Sequence, residues 1–211
     1  MKLRSLSLLL LTPFLTGCLK AELDYNAMYW NIVSDFQSKI EEDKNCDIDF
    51  LGDSITEKYD VNKYYPEYKV ANRGISGDTT SMMIYRLDIS AVLLEPKVIS
   101  LLIGTNNLDT CMDHYETILS CFSEQIPDTK VAVISILPRR GDSECQKIKE
   151  NNIEIKSLAE KYGYTYVDLY DKFTKDNKVN ESLFKDGLHP NEKGYQLLTD
   201  NLKPVFANWL D

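Results

Sequence analysis

A chain of 211 residues, 43% hydrophobic and 10% aromatic, is long enough to bury one sizeable core and too apolar to belong to the disordered class. Its 33 Asp and Glu outnumber 24 Lys and Arg, for a net charge of −9. The basic residues are scattered among acids, as in "KIEEDK", so no cationic cluster is present for a nucleic-acid backbone, and nucleic acid is not an expected partner.

Lys2 and Arg4 precede the apolar run "LSLLLLTPFLTG", which is too short to span a bilayer and has the layout of a secretory signal. It ends in "LTGC", Leu15 to Cys18, which resembles the lipobox of bacterial lipoproteins. That resemblance implies loss of residues 1–17, acylation of Cys18 and a short tether over 18–22. A single domain over 23–211 is then held at the membrane surface of the cell envelope by lipid rather than by a spanning helix. Removing Lys2 and Arg4 with the signal takes the net charge from −9 to −11.

From Leu23 to Ile40 the apolar residues Met28, Ile32, Val33, Phe36 and Ile40 recur at helical spacing, predicting an amphipathic helix. Four runs rich in β-branched or aromatic residues follow, at 47–51, 98–103, 130–136 and 164–169, with 68–72 a weaker fifth; these read as strands. Between them, helical stripes are formed by Ile84, Leu87, Ala91 and Leu94, by Tyr115, Ile118, Leu119, Phe122 and Ile126, and by Ile148, Ile155, Leu158, Ala159 and Tyr162. A last helix is predicted from Asn191, a candidate N-cap, to Leu210, with Pro204 expected to kink or break it. Alternating strands and helices predict a mostly parallel five-stranded sheet covered on both faces, a three-layer α/β/α domain.

In such a sheet, ligands collect beyond the carboxyl ends of the strands. The segments expected there are Gly52-Asp53-Ser54, "NRGISGDTT" (72–80) and "GTNN" (104–107), with "DGLHPN" (186–191) before the last helix. Together they hold a hydroxyl, an imidazole, a carboxylate and amide-bearing loops, the parts that acyl transfer requires. A serine is a weak nucleophile until an imidazole accepts its proton, and the imidazole needs a carboxylate on its other nitrogen. Asp186 and His189 are close enough in sequence for one tight bend to join them. Backbone N–H groups and an asparagine amide are suitable donors to the oxyanion that forms.

These blocks in this order resemble the SGNH or GDSL-type hydrolase family: "FLGDSITE" its first block, "NRGISGDTT" its second, "LLIGTNN" its third and "DGLHPN" its fifth. The resemblance runs from about Phe50 to Asn191 and implies a flavodoxin-like fold. It also implies Ser54 as nucleophile, His189 as general base and acid, and Asp186 as its orienting partner. The Ser54 and Gly77 N–H groups and the Asn106 amide become the oxyanion donors. The third block departs from the usual Asn-Asp by ending Asn106-Asn107, which leaves open what replaces the carboxylate. Asp53 is expected to brace the loop that aims Ser54, and Arg139 and Arg140 to lie on the rim of the same face.

The expected activity is therefore ester hydrolysis without metal or other cofactor, on short acyl esters, with a carbohydrate O-acetyl ester as the leading substrate and a lysophospholipid or short-chain lipid ester next. An inactive glycan-binding lipoprotein is the non-enzymatic alternative. A metal-dependent phosphoesterase using Asp53, Asn106, Asp186 and His189 as ligands is disfavoured by a chain with only two histidines. Export makes disulfides plausible for Cys46, Cys111, Cys121 and Cys145; the heights expected in the fold favour Cys111–Cys145 and Cys46–Cys121.

Overall fold

A computed structural model describes residues 13–176 and 178–210, apart from the side chains of 13–24, 142 and 143. Most of the sequence assigned to the signal, and the side chain of Cys18, lie outside that description.

Helix α1 (Pro13–Ser38) and a single turn, α2 (Ile40–Asp43), lead into β1 (Ile48–Gly52), α3 (Ser54–Glu57), α4 (Val61–Tyr64) and β2 (Val70–Gly74). Then come α5 (Thr80–Ile84), α6 (Leu87–Ser90), β3 (Val98–Leu102), α7 (Met112–Gln125), β4 (Lys130–Ile134), α8 (Asp142–Lys161) and β5 (Thr165–Val167). A two-stranded ribbon, β6 (Thr174–Lys175) and β7 (Lys178–Val179), precedes the last helix, α9 (Glu192–Leu210). The five main strands form one parallel sheet in the order β2-β1-β3-β4-β5. Every residue of β1 and of β3 is buried, which is why these strands read as continuous rather than alternating apolar runs.

The two sheet faces carry separate cores. Leu51, Leu101 and Val133 pack against Tyr115, Ile118 and Phe122 of α7 and Ile148 and Ile155 of α8. Phe50, Val98 and Ile134 pack on the other face against Leu198, Leu202 and Phe206 of α9. Helix α1 closes the β2 edge through Tyr29, Val33 and Phe36, which enclose Ile75.

Three expectations are corrected. The stripe from Ile84 to Leu94 is not one helix: α5 and α6 are separated at Tyr85 and Arg86, and Val92–Leu94 forms a 3-10 turn. Arg86 stands at the interruption with its guanidinium turned into the protein, as described below. Helix α9 runs through Pro204 without a break. Its buried face of Tyr195, Leu198, Leu202 and Phe206 offsets the lost backbone bond, which costs about 3 kcal/mol in a helix interior. Finally, Cys46, Cys111, Cys121 and Cys145 are free thiols. Cys46 is enclosed by Ala71 and Leu94, whereas Cys121 packs against the α7–α8 core. Cys111 Sγ donates to Leu108 O at 3.7 Å and accepts from Asn151 Nδ2 at 3.2 Å, while Cys145 Sγ donates to Arg139 O at 3.1 Å. Burial raises the Cys46 pKa and pushes that of Cys111 up to about 11, which suppresses the thiolate needed for disulfide chemistry.

Candidate active site

Strand β1 ends at Gly52, hard against β3 and α3. A Cβ on Gly52 would lie 2.4 Å from Leu102 O and 2.2 Å from Thr56 Oγ1, so only glycine lets the chain turn here. Asp53 then caps α3, its Oδ1 accepting from Ile55 N at 2.9 Å. Burial pushes the Asp53 carboxyl up to about 7, opposed by the Ile55 N–H. The cap aims the first residue of α3, Ser54, which is only 4% exposed.

The loop before α9 brings the imidazole. Asp186 Oδ1 accepts from Leu188 N at 3.0 Å and His189 N at 2.8 Å, and its Oδ2 meets His189 Nδ1 at 2.7 Å. Those bonds, first the His189 N–H and then the His189 ring, hold the Asp186 carboxyl well below the usual carboxylate range. An ionised carboxylate only accepts, so His189 Nδ1 carries a proton and Nε2 presents its lone pair. His189 Nε2 lies 2.9 Å from Ser54 Oγ. The loop is tied down by Arg140 N donating to Gly187 O and Lys185 N to His189 O, both at 2.8 Å. Asn191 caps α9 as expected, its Oδ1 accepting from Lys193 N and Gly194 N.

Two further loops follow the strands beside β1. Gly77 follows β2 with φ +79°, a left-handed conformation that glycine adopts freely. Asn106 sits in a 3-10 turn, Thr105–Asn107, after β3, and its Nδ2 donates to Asp78 O at 2.9 Å, joining the two loops. Asn107 answers the question raised by its departure from the usual carboxylate: Nδ2 donates to Thr80 Oγ1 at 3.0 Å and Oδ1 accepts from Thr80 N at 3.4 Å. An amide supplies both a donor and an acceptor, so the brace between the loops is kept.

A buried ion pair beneath these loops was not foreseen. Arg86 and Asp78 are both fully buried, with Nη2 2.6 Å and Nε 2.9 Å from Asp78 Oδ2. The same guanidinium donates to Gly52 O at 3.0 Å and Arg73 O at 2.9 Å. It thus fastens the ends of β1 and β2 to the Gly77–Asp78 loop. Tyr29 Oη of α1 donates to Asp78 Oδ1 at 3.3 Å and Tyr25 Oη to Ser76 O at 3.4 Å. The available sequence signal was an arginine inside an otherwise apolar helical stripe. Among the described residues, no group of three or more His, Cys, Asp or Glu side chains is placed to hold a metal ion.

The fold recurs in solved structures. One from Streptococcus pneumonia, described as a candidate platelet activating factor, superposes with a TM-score of 0.80 at 25% identity, covering 90% of this chain and 99% of that one. A GDSL-like lipase from Bacteroides thetaiotaomicron follows at 0.72 and 22%, covering 87% and 97%. An acetylxylan esterase from Geobacillus stearothermophilus gives 0.65 and 20%, covering 80% and 97%. No curated protein sequence matches the chain. The model of the GDSL-like Lipase/Acylhydrolase family matches residues 50–197, a span that takes in Ser54, Gly77, Asn106, Asp186 and His189 alike. With well over half of its length inside that match, the chain belongs to the GDSL-like Lipase/Acylhydrolase family, whose chemistry is the hydrolysis of carboxylic esters.

Proposed function

We propose that the chain is a serine ester hydrolase that works through an acyl-enzyme on short acyl esters, foremost O-acetyl groups carried by a carbohydrate. The observation that carries this reading is the unbroken relay of Asp186 Oδ2 to His189 Nδ1 at 2.7 Å and His189 Nε2 to Ser54 Oγ at 2.9 Å.

Ser54 Oγ attacks the ester carbonyl as His189 Nε2 takes its proton, and Asp186 stabilises the imidazolium. The Ser54 and Gly77 N–H groups and the Asn106 amide receive the oxyanion. His189 then returns its proton to the leaving alcohol and next draws one from water, which releases the acid and restores Ser54. Among the described residues the main strands are followed by short loops and no inserted domain stands over the Ser54 loop, which favours small acyl groups on an exposed carrier. Export with acylation of Cys18 is part of the same proposal. It is supported by Leu15 to Cys18 and the apolar run before them, and Cys18→Ser should move the protein from the membrane to the soluble fraction.

The test is hydrolysis of p-nitrophenyl esters of increasing acyl length by the wild type and Ser54→Ala, with and without chelator. Rates that fall with chain length, ignore chelator and vanish in Ser54→Ala support the proposal. Activity that survives Ser54→Ala refutes it, and absence of turnover on every ester favours a binding role.

A further inference from the structure

Beside Asn106, over the carboxyl ends of β3 and β4, lies an open groove of about 480 Å³. Leu108 is its one apolar lining residue; Asn106, Asn107, Asp109, Arg139 and Lys147 supply most of the rest. Asn106, the proposed oxyanion donor, is part of its wall. Arg139, also in the wall, is followed by Arg140, which donates its N–H to Gly187 O inside the Asp186–His189 loop. The groove therefore adjoins the group that would hold the carbonyl oxygen, a position open to the alcohol part of an ester bound there.

The lining also indicates the kind of alcohol. Arg139 Nη1 donates to Thr105 O at 3.0 Å and Nη2 stands 3.9 Å from Glu144 Oε1, so this guanidinium is held in place along the wall. Cationic Arg139 and Lys147 are matched by anionic Asp109 and Glu144, so donors and acceptors stand on the same wall. An alkyl chain laid here would strip water from charged groups without replacing their hydrogen bonds. An anionic headgroup would meet as many carboxylates as cations. Sugar hydroxyls both donate and accept, and they suit a wall on which both kinds of partner alternate.

We propose that this groove is the carrier subsite, binding the neutral, polyhydroxylated alcohol portion of the substrate. The proposal rests on the esterase reading for its place in turnover, but binding of the carrier does not require turnover. The experiment accordingly has two arms. In the first, calorimetry follows titration of neutral xylo-, cello- and chito-oligosaccharides into the full chain carrying Ser54→Ala, with and without Lys147→Met or Asp109→Asn. In the second, kcat/KM for the O-acetylated oligosaccharides is divided by kcat/KM for p-nitrophenyl acetate, for the wild type and the same groove variants. Loss of one hydrogen bond to a neutral hydroxyl should weaken binding, and lower that ratio, by about 3- to 10-fold per variant. Turnover of p-nitrophenyl acetate without binding of any oligosaccharide, or binding untouched by both groove variants, overturns the subsite and leaves the esterase standing. Binding that is sensitive to the groove variants in a protein that cleaves no ester supports the subsite and overturns the esterase.

Discussion

Replacing Arg86 by methionine should be the most damaging single change outside the Ser54–His189–Asp186 relay. The variant keeps an unbranched but shorter side chain and removes four hydrogen bonds, two to Asp78 Oδ2 and one each to Gly52 O and Arg73 O. Asp78 is left as a buried carboxylate without its cation, and both side chains of the pair are at 0% exposure, where no solvent screening softens the loss. Removing one partner of a buried pair costs about 3–5 kcal/mol, a large part of the about 5–15 kcal/mol that separates folded from unfolded states. For a chain of this size that corresponds to a drop in Tm of roughly 6–20 °C. Urea unfolding followed by tryptophan fluorescence measures it directly. Arg86→Lys should rescue little, because one ammonium does not reach acceptors on three segments. Asp78→Asn combined with Arg86→Met should cost less than the two changes summed, since the stranded charge is gone. A loss below about 1 kcal/mol in Arg86→Met, with the denaturant slope unchanged, would refute the assignment of this guanidinium as the fastening of the site.

Two further outcomes follow from the same geometry. Asp186→Asn leaves a side chain that still accepts from backbone N–H groups but no longer fixes the His189 tautomer or stabilises its cation, so kcat on p-nitrophenyl acetate should fall by about 10⁴-fold with Tm little changed; a fall below tenfold contradicts the relay. Asp49 is fully buried in β1, with neither carboxyl oxygen hydrogen-bonded within the described protein, and desolvation pushes its pKa up to about 8. Because the folded state holds this proton more tightly than the unfolded chain, stability is fully present below pH 4 and declines as pH rises towards 8. Asp49→Asn should flatten the unfolding free energy between those limits, and an unchanged pH slope would show that Asp49 is ionised in the native protein.

The parts of the molecule that were legible in the sequence are those with local signatures. Strands buried on both faces are runs of apolar residues, and the turns after β1, β2, β3 and β5 advertise themselves with glycine, aspartate or asparagine. Asp186 and His189 are so near in sequence that their pairing needs only one bend. The Arg86 clamp was not legible because two of its acceptors are backbone carbonyls, which leave no trace in residue identity. The break between α5 and α6 was missed for the same reason, since periodicity registers Ile84, Leu87 and Ala91 but not the inward turn of the arginine among them. At Pro204 a local rule was overridden by tertiary burial of the helix face. The cysteine pairs failed because height along the fold limits which thiols share a level but says nothing about where each Sγ is already engaged.

The placement of Asp186 and His189 on one loop has a consequence for how the protein would lose activity. Their mutual geometry is written into a bend closed by its own backbone N–H groups, so it survives any motion that carries the loop as a unit. Among the described residues, the hydrogen bond that joins this unit to Ser54 runs between His189 Nε2 and Ser54 Oγ, across 135 positions of chain. Partial unfolding or loop displacement would therefore break the relay at that contact first, leaving an Asp186–His189 pair that keeps its Nδ1 hydrogen bond, and an isolated serine. Proton NMR and turnover should part company on heating, the imidazole signal outlasting the activity it serves.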